Sequence, residues 1–201
     1  LHGRETGKSL YDNYRWMPDL TIPMVEAITA HLGIVRNDTI LDFGCARGYV
    51  VKAMRGLGYD AYGVDISDWA IENADPEVKR YCYVQGSMPP VASGFDWIIA
   101  KDVLEHVEWL GSIISLLMEM AGKGVFVVVP LALHDGCAYV VPEYEKDVTH
   151  IHRWTLAKWV AMFLRPGWCV EASYRISGIK DNYYKPGWER ANGFITTRRI
   201  E

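Results

Sequence analysis

The stretch that organises this chain is Ile40-Leu41-Asp42-Phe43-Gly44-Cys45-Ala46-Arg47-Gly48-Tyr49-Val50. An apolar run from Thr39 to Phe43 stops abruptly at Gly44, and the apolar residues from Val50 onward recur at helical spacing. The pattern predicts a β-strand, a tight turn and an α-helix. Small residues in the turn let the backbone approach a ligand closely, and the helix N-terminus offers unpaired N–H groups.

Two carboxylates follow predicted strands. Asp42 ends the first strand, and Asp65 ends the second, where a ribose-binding acid lies in a βαβ nucleotide site. An acid directly before the turn would repel a pyrophosphate but suits a sulfonium or ammonium group, so the pair favours S-adenosylmethionine over a nicotinamide cofactor. For each acid taken singly, the alternative is an exposed strand-end carboxylate or a helix cap.

Composition limits the function class. The 201 residues suffice for one buried domain, and half of them are hydrophobic, which indicates a globular chain. A net charge of −4 without a basic run disfavours nucleic-acid binding, and no apolar run is long enough for a membrane span. The start of the chain predicts no signal peptide. The sequence has no CxxC pair. We therefore expect a cytoplasmic protein whose cysteines are reduced and mostly buried; they are Cys45, Cys82, Cys137 and Cys169.

Strands and helices alternate along most of the sequence. This predicts a single α/β domain, doubly wound and Rossmann-like, with a seven-stranded, mostly parallel sheet whose last two strands pair antiparallel at one edge. Predicted strands are 39–43, 60–66, 81–84, 95–100, 125–129, 168–176 and 193–199. Predicted helices are 21–33, capped by Thr21, and 48–57, 68–73, 104–121 and 156–164. The remaining segments are an N-terminal arm or lid at 1–17 and variable substrate-side loops at 131–153 and 177–192.

Three motifs carry a family resemblance: Leu41–Gly48, Gly63–Ser67 and the run Phe95–Val107. With them, the chain resembles class I S-adenosylmethionine-dependent methyltransferases of the small-molecule type. The resemblance implies S-adenosylmethionine as the cofactor and a small-molecule methyl acceptor.

The resemblance also implies roles for individual residues. The turn would hold the methionine moiety, Asp65 would accept from both ribose hydroxyls, and Ile66 would lie against the adenine. Where the commonest form of the motif has glycine this chain has Ala46, a mild departure whose methyl group is tolerable if φ there is negative. The full set of expected cofactor-binding residues is Asp42, Gly44, Cys45, Gly48, Asp65, Ile66, Ser87, Met88 and Lys101.

The segment after the fifth strand, residues 142–155, is rich in ionisable groups. Ligands bind outside the carboxyl ends of strands in open α/β sheets, so this segment is expected on the acceptor side. Asp147 and His150 can form a carboxylate–imidazole pair in which His150 deprotonates a hydroxyl, with His152 as the next candidate. The alternative is that these groups only fold the loop. A metal site from Glu143, Asp147, His150 and His152 does not match a standard zinc spacing, so no metal is predicted.

The function predicted from these features is methyl transfer from S-adenosylmethionine to a small acceptor by in-line displacement, with oxygen as the favoured acceptor atom. The alternatives are a non-catalytic S-adenosylmethionine-binding regulator and, less favoured, a nicotinamide-dependent oxidoreductase. Glu105 and His106 are expected to be structural. The aromatic run Tyr183–Trp188 either walls the acceptor pocket or only packs.

Overall fold

The computed structural model describes residues 14–87 and 94–200. Residues 1–13, most of the predicted arm, therefore lie outside the described part, as does Met88. None of the helices in the described residues has the length and apolar character needed to span a bilayer.

Seven strands form one sheet, as predicted. Its order is β3-β2-β1-β4-β5-β7-β6, and β7 runs antiparallel to both of its neighbours. The expected antiparallel pairing of the last two strands at one edge is therefore confirmed, with β7 inserted between β5 and β6 and β6 at the edge. The strands are β1 (Thr39–Phe43), β2 (Asp60–Asp65), β3 (Cys82–Val84), β4 (Phe95–Lys101), β5 (Ala121–Pro130), β6 (Trp168–Ser173) and β7 (Asn192–Arg199).

Five α-helices accompany the sheet in the described residues: α1 (Pro18–Leu32), α2 (Tyr49–Gly56), α3 (Asp68–Glu72), α4 (Leu110–Met120) and α5 (Leu156–Ala161). Thr21 is not the predicted N-cap of α1, because Pro18 already occupies its first turn. Ser67 and Thr155 do cap α3 and α5, each accepting a hydrogen bond from a backbone N–H three residues on.

The chain divides into two compact units, the first ending at Ile99 and the second beginning at Ala100. In the first unit, β1 pairs in parallel with β2 and with the start of β4. Asp96 accepts hydrogen bonds from the backbone N–H and hydroxyl of Thr39, which joins the beginnings of β1 and β4. The rings of Tyr14 and Trp16 pack on Tyr49 at the start of α2, with centroid distances of 5.1 and 5.9 Å.

In the second unit, β5 is buried almost throughout and pairs with β7 over seven residues. The predicted long helix 104–121 is wrong. A 3₁₀ turn at Leu104–His106 follows β4, α4 begins only at Leu110, and β5 begins at Ala121. The break between the two helical segments separates Glu105 and His106 from α4, so the loop after β4 can pack on residues 147–152.

Candidate functional site

The turn after β1 is built by backbone hydrogen bonds. The N–H groups of Gly44 and Cys45 both donate to the carbonyl of Val64, at 2.8 and 3.0 Å. Gly48 has a φ of +77°, and a Cβ on it would lie 2.7 Å from the sulfur of Cys82. Only glycine fits this position without strain, because the turn packs closely on Cys82; its approach to a ligand stays a prediction.

Ala46 departs from its expected conformation. Its φ is +48°, in the left-handed region, so the negative φ under which the alanine would be a mild departure is not adopted. The conformation is held because the Ala46 N–H donates to Oδ2 of Asp65 at 2.8 Å. A non-glycine residue here stores about 1 kcal/mol of backbone strain.

Asp65 links the ends of β1 and β2. It is 5% exposed, its Oδ2 accepts from Ala46, and its Oδ1 accepts from the Ser67 N–H at 2.8 Å. Burial raises the pKa of this carboxyl, while the two backbone donors act in the opposite direction. Each carboxylate oxygen has a second lone pair, so the geometry leaves Asp65 able to accept from two further hydroxyls.

The thiols of the first unit are buried and inert. Cys45 and Cys82 are 3% and 5% exposed, and the Cys45 thiol donates to the carbonyl of Ala46 at 3.9 Å. The neighbouring Cys82 thiol, burial and the nearby carboxylate of Asp42 hold the pKa of the Cys45 thiol far above its usual range, so it is not a nucleophile. Cys137 and Cys169 are exposed, which corrects the expectation of mostly buried cysteines.

The remaining predicted cofactor residues of the first unit lie at strand ends. Asp42 is buried in β1 at 4% exposure, while Ile66, directly after β2, exposes 68% of its surface. Ser87 is exposed in the turn after β3. An exposed apolar side chain beside Asp65 fits the expected contact of Ile66 with a planar base, and these roles remain predictions.

In the second unit, a charged group occupies the exit of β4. Asp102 has a φ of +56° and accepts from Lys101 Nζ at 2.6 Å and from Lys180 Nζ. Lys180, also left-handed at +57°, donates in addition to Oδ1 of Asn192 at 3.0 Å. Burial alone would raise the pKa of Asp102, but the two ammonium groups outweigh it and hold that pKa well below its usual range. Lys101 is thus ion-paired at the place where contact with the cofactor was predicted.

His150 is oriented by a backbone carbonyl. Its Nδ1 lies 2.9 Å from the carbonyl oxygen of Tyr144, which can only accept, so Nδ1 carries the proton. The Nε2 of the neutral ring is then a free acceptor. Burial lowers the pKa of His150, with the neighbouring His106 acting in the same direction, and both keep the ring neutral.

His106 has the same tautomer for a different reason. The hydroxyl of Thr149 donates to Oδ1 of Asp147 at 2.5 Å, so it can only accept from His106 Nδ1, 2.8 Å away. The two imidazole rings lie 4.7 Å apart. Both Nε2 lone pairs are therefore free, and the ring of His106 is the more exposed of the two.

Glu105 completes this cluster. Its Oε1 lies 4.0 Å from each Nε2, its side chain is 1% exposed, and Oε2 has no hydrogen-bond partner in the described structure. Burial, and next the Asp102 carboxylate, raise the pKa of Glu105 to about 8. Two imidazole Nε2 atoms thus face a buried carboxyl group whose Oε2 has no partner, an arrangement that a proton on Glu105 or a bound cation would stabilise.

The predicted catalytic residues are only partly assembled. Asp147 Oδ2 lies 3.8 Å from His150 Nε2, beyond hydrogen-bond length, and its other oxygen binds Thr149. His152 instead donates from Nε2 to the carbonyl of Val107 at 2.7 Å. Of the disfavoured metal set, only Asp147 and His150 lie close together. Within the described residues, the group able to hold a metal ion is Glu105, His106 and His150, with ligand atoms within 4.8 Å of one another.

Sequence reasoning missed Glu105 and His106 as functional candidates. They lie more than 40 residues from His150, and their position in a predicted helix hid the 3₁₀ turn. The only available signal was the pair of adjacent ionisable residues immediately after a buried strand.

Comparisons with known proteins agree with this geometry. A family model described as "Methyltransferase domain" matches residues 21–173. The mitochondrial ubiquinone biosynthesis O-methyltransferase of Schizosaccharomyces pombe is 37% identical over 89 residues, which are 40% of this chain and 32% of that enzyme. This chain therefore spans about a third of that relative's length. The Methylococcus capsulatus ubiquinone biosynthesis O-methyltransferase is 24% identical over 193 residues, covering 85% of this chain and 80% of that enzyme.

Among solved structures, the plantazolicin methyltransferase BpumL in complex with a triazolic desmethylPZN analog and SAH has the same fold. It superposes with a TM-score of 0.68 at 15% identity, covering 98% of this chain and 91% of that one. These findings do not favour the oxidoreductase or the regulatory alternative. The matched domain, the seven-stranded sheet and the Gly44–Gly48 turn confirm the resemblance: the chain belongs to the methyltransferase domain family, whose members use S-adenosylmethionine as the methyl donor.

Proposed function

We propose that this protein transfers the methyl group of S-adenosylmethionine to a hydroxyl oxygen of a small-molecule acceptor, with His150 as the general base. The observation that carries the proposal is the convergence of two imidazole Nε2 acceptors on the buried carboxyl group of Glu105. O-methyl transfer is also the activity named for the curated relatives.

The first unit supplies the donor site. Asp65 would accept from the ribose hydroxyls with lone pairs that its two backbone donors leave free, and the Gly44–Gly48 turn would receive the methionine part. The sulfonium is already an electrophile, so the protein's task is to align the nucleophile at about 3–3.5 Å and to exclude water. The remaining predicted contacts are those of Asp42, Cys45, Ile66, Ser87, Met88 and Lys101.

The second unit supplies the proton acceptor. Burial keeps His150 neutral and the Tyr144 carbonyl fixes its tautomer, so its Nε2 can remove the hydroxyl proton as the C–S bond breaks and the C–O bond forms. A protonated Glu105 keeps negative charge away from the developing alkoxide or phenolate. Asp147 positions Thr149 and, through it, His106, whereas His152 fixes the loop to Val107.

The test is production of S-adenosylhomocysteine from S-adenosylmethionine and a panel of phenols, alcohols, amines and carbon acids. The proposal predicts turnover with a hydroxyl acceptor, and loss of that turnover in a His150→Asn variant. Turnover confined to amines, or unchanged by His150→Asn, would contradict the assignment of oxygen and of the base.

A further inference from the structure

A cleft in the second unit lies between β6 and β7 and the loop that joins them. Five of its lining side chains are aromatic: Tyr174, Tyr183, Tyr184, Trp188 and Phe194. The rings of Tyr183 and Trp188 are nearly parallel, at 23°, with centroids 6.4 Å apart. Aromatic faces in such numbers favour a flat, apolar ring as the occupant.

The polar part of this cleft contains hydrogen-bond donors. Arg175 and Lys180 line it, and no carboxylate does so among the residues that the structure describes. Asn192 uses its Oδ1 to accept from Tyr144 and Lys180, which leaves its Nδ2 group as a further donor. A cleft with two cations and a spare amide donor complements an anion.

Arg175 is the cation best able to bind that anion. Lys180 is committed to Asp102, Asn192 and the Tyr144 hydroxyl. The guanidinium of Arg175 makes no hydrogen bond within 3.5 Å in the described structure, and its nearest carboxylate, Asp181, is 3.8 Å away. It lies 4.0 Å from the ring centre of Tyr184, which holds its plane while leaving its edge free.

We propose that this cleft binds an aromatic carboxylate, with the ring against Tyr183 and Trp188 and the carboxylate on Arg175. The cleft shares Lys180 and Asn192 with Tyr144, whose carbonyl orients His150, so the site is connected to the proposed base. This inference rests on the proposed function only in taking the bound molecule to be the methyl acceptor.

The experiment is calorimetric titration of the whole protein, without cofactor, with three probes. These are 4-hydroxybenzoate, 4-hydroxybenzyl alcohol, which lacks the charge, and cyclohexanecarboxylate, which lacks the aromatic ring. Charge-assisted hydrogen bonds from one guanidinium predict that 4-hydroxybenzoate binds at least about tenfold more tightly than 4-hydroxybenzyl alcohol. Contact of its ring with Tyr183 and Trp188 predicts that it also binds more tightly than cyclohexanecarboxylate. Equal affinity for 4-hydroxybenzoate and either of the other probes would overturn the proposal.

Variants locate the site. Arg175→Met should weaken 4-hydroxybenzoate about tenfold and leave 4-hydroxybenzyl alcohol unchanged, while Arg175→Lys should restore part of the loss. Arg165→Met, which removes a cation outside the cleft, is the matched control. An unchanged affinity in a folded Arg175→Met variant, or an equal loss in Arg165→Met, would contradict the site. Because binding is read without S-adenosylmethionine, failure of this cleft is distinguishable from failure of methyl transfer.

Discussion

The turn after β1 and the histidine cluster after β4 each contain a buried carboxyl group, and the two groups differ in their hydrogen bonds. Asp65 is buried, which raises its pKa, but it accepts a backbone hydrogen bond on each oxygen, and these donors offset part of that effect. Glu105 is equally buried, yet its Oε2 is unpaired, and two imidazole Nε2 atoms lie 4.0 Å from its Oε1. Burial raises the pKa of both carboxyl groups, but only Asp65 has a backbone donor on each oxygen to stabilise its charged form.

This difference separates two kinds of chemistry. A satisfied anion is suited to static recognition of hydroxyl donors, because nothing needs to move when a ligand binds. A buried carboxyl group with an unpaired oxygen beside two imidazoles is suited to proton transfer, because its pKa of about 8 lies near neutral pH. From this difference we assign binding of the methyl donor to the first region and acceptance of the proton to the second.

The largest expected effect comes from removing the base. His150→Asn keeps a polar side chain but no proton acceptor, so kcat for a hydroxyl acceptor should fall about 10²–10⁴-fold. Steady-state formation of S-adenosylhomocysteine measures it. His134→Asn, at an exposed loop position, is the matched control and should leave kcat within a factor of two or so. If the two variants have the same rate, His150 is not the base.

The second largest effect is expected on stability, from removal of the carboxylate charge at the exit of β4. Asp102→Asn keeps a residue that tolerates positive φ and leaves Lys180, with 10% of its side chain exposed, without its carboxylate. Breaking this pair should lower the free energy of unfolding by about 3 kcal/mol in urea denaturation. Glu171→Gln on the exposed edge strand should change it by less than about 0.5 kcal/mol. Equal stabilities would show that the ion pair is not structurally required.

Glu105 should make stability depend on pH. Its carboxyl loses its proton near pH 4.5 when unfolded but only near pH 8 when folded, so the folded state binds more protons between these values. Stability should therefore fall as pH rises through this window, by about 1 kcal/mol per pH unit, and Glu105→Gln should remove that decline. Denaturant midpoints at pH 5, 6 and 7 test this. Stability that instead rises with pH and with added Zn²⁺ would indicate a bound cation.

The smallest effect is expected at the strained turn. Ala46→Gly relieves the strain of the left-handed conformation but raises the conformational entropy of the unfolded chain. The net result should be a free energy of unfolding that is about 0.5 kcal/mol higher. Gly48→Ala, in the same turn, should destabilise because its new Cβ would lie 2.7 Å from Cys82. Thermal unfolding of both variants gives the two signs, and a lower midpoint for Ala46→Gly would contradict the strain assigned to φ.

Local patterns in the sequence predicted much of the first region. The apolar run before Gly44 and the acid after the second strand are positioned by contacts between elements that are neighbours in the chain. Their spacing in the sequence therefore predicted where they lie. Ala46 was misjudged because its φ is set by the hydrogen bond to Asp65, 19 residues away.

The second region was less predictable, because its contacts join distant segments. The apolar periodicity of residues 104–121 resembled one helix, although Glu105 and His106 lie in a 3₁₀ turn that contacts Thr149 and His150. Likewise, the antiparallel relation of the last strands was predictable, but the insertion of β7 between β5 and β6 depends on long-range pairing.

The assignment of donor binding and proton acceptance to separate regions can be tested by one titration. S-adenosylmethionine is titrated calorimetrically into the Asp65→Ala and His150→Asn variants, each checked for folding by circular dichroism. The account predicts about a 100-fold loss of affinity in Asp65→Ala, from two lost charge-assisted hydrogen bonds, and an unchanged affinity in His150→Asn. Unaltered binding in Asp65→Ala, or an equal loss in both variants, would contradict it.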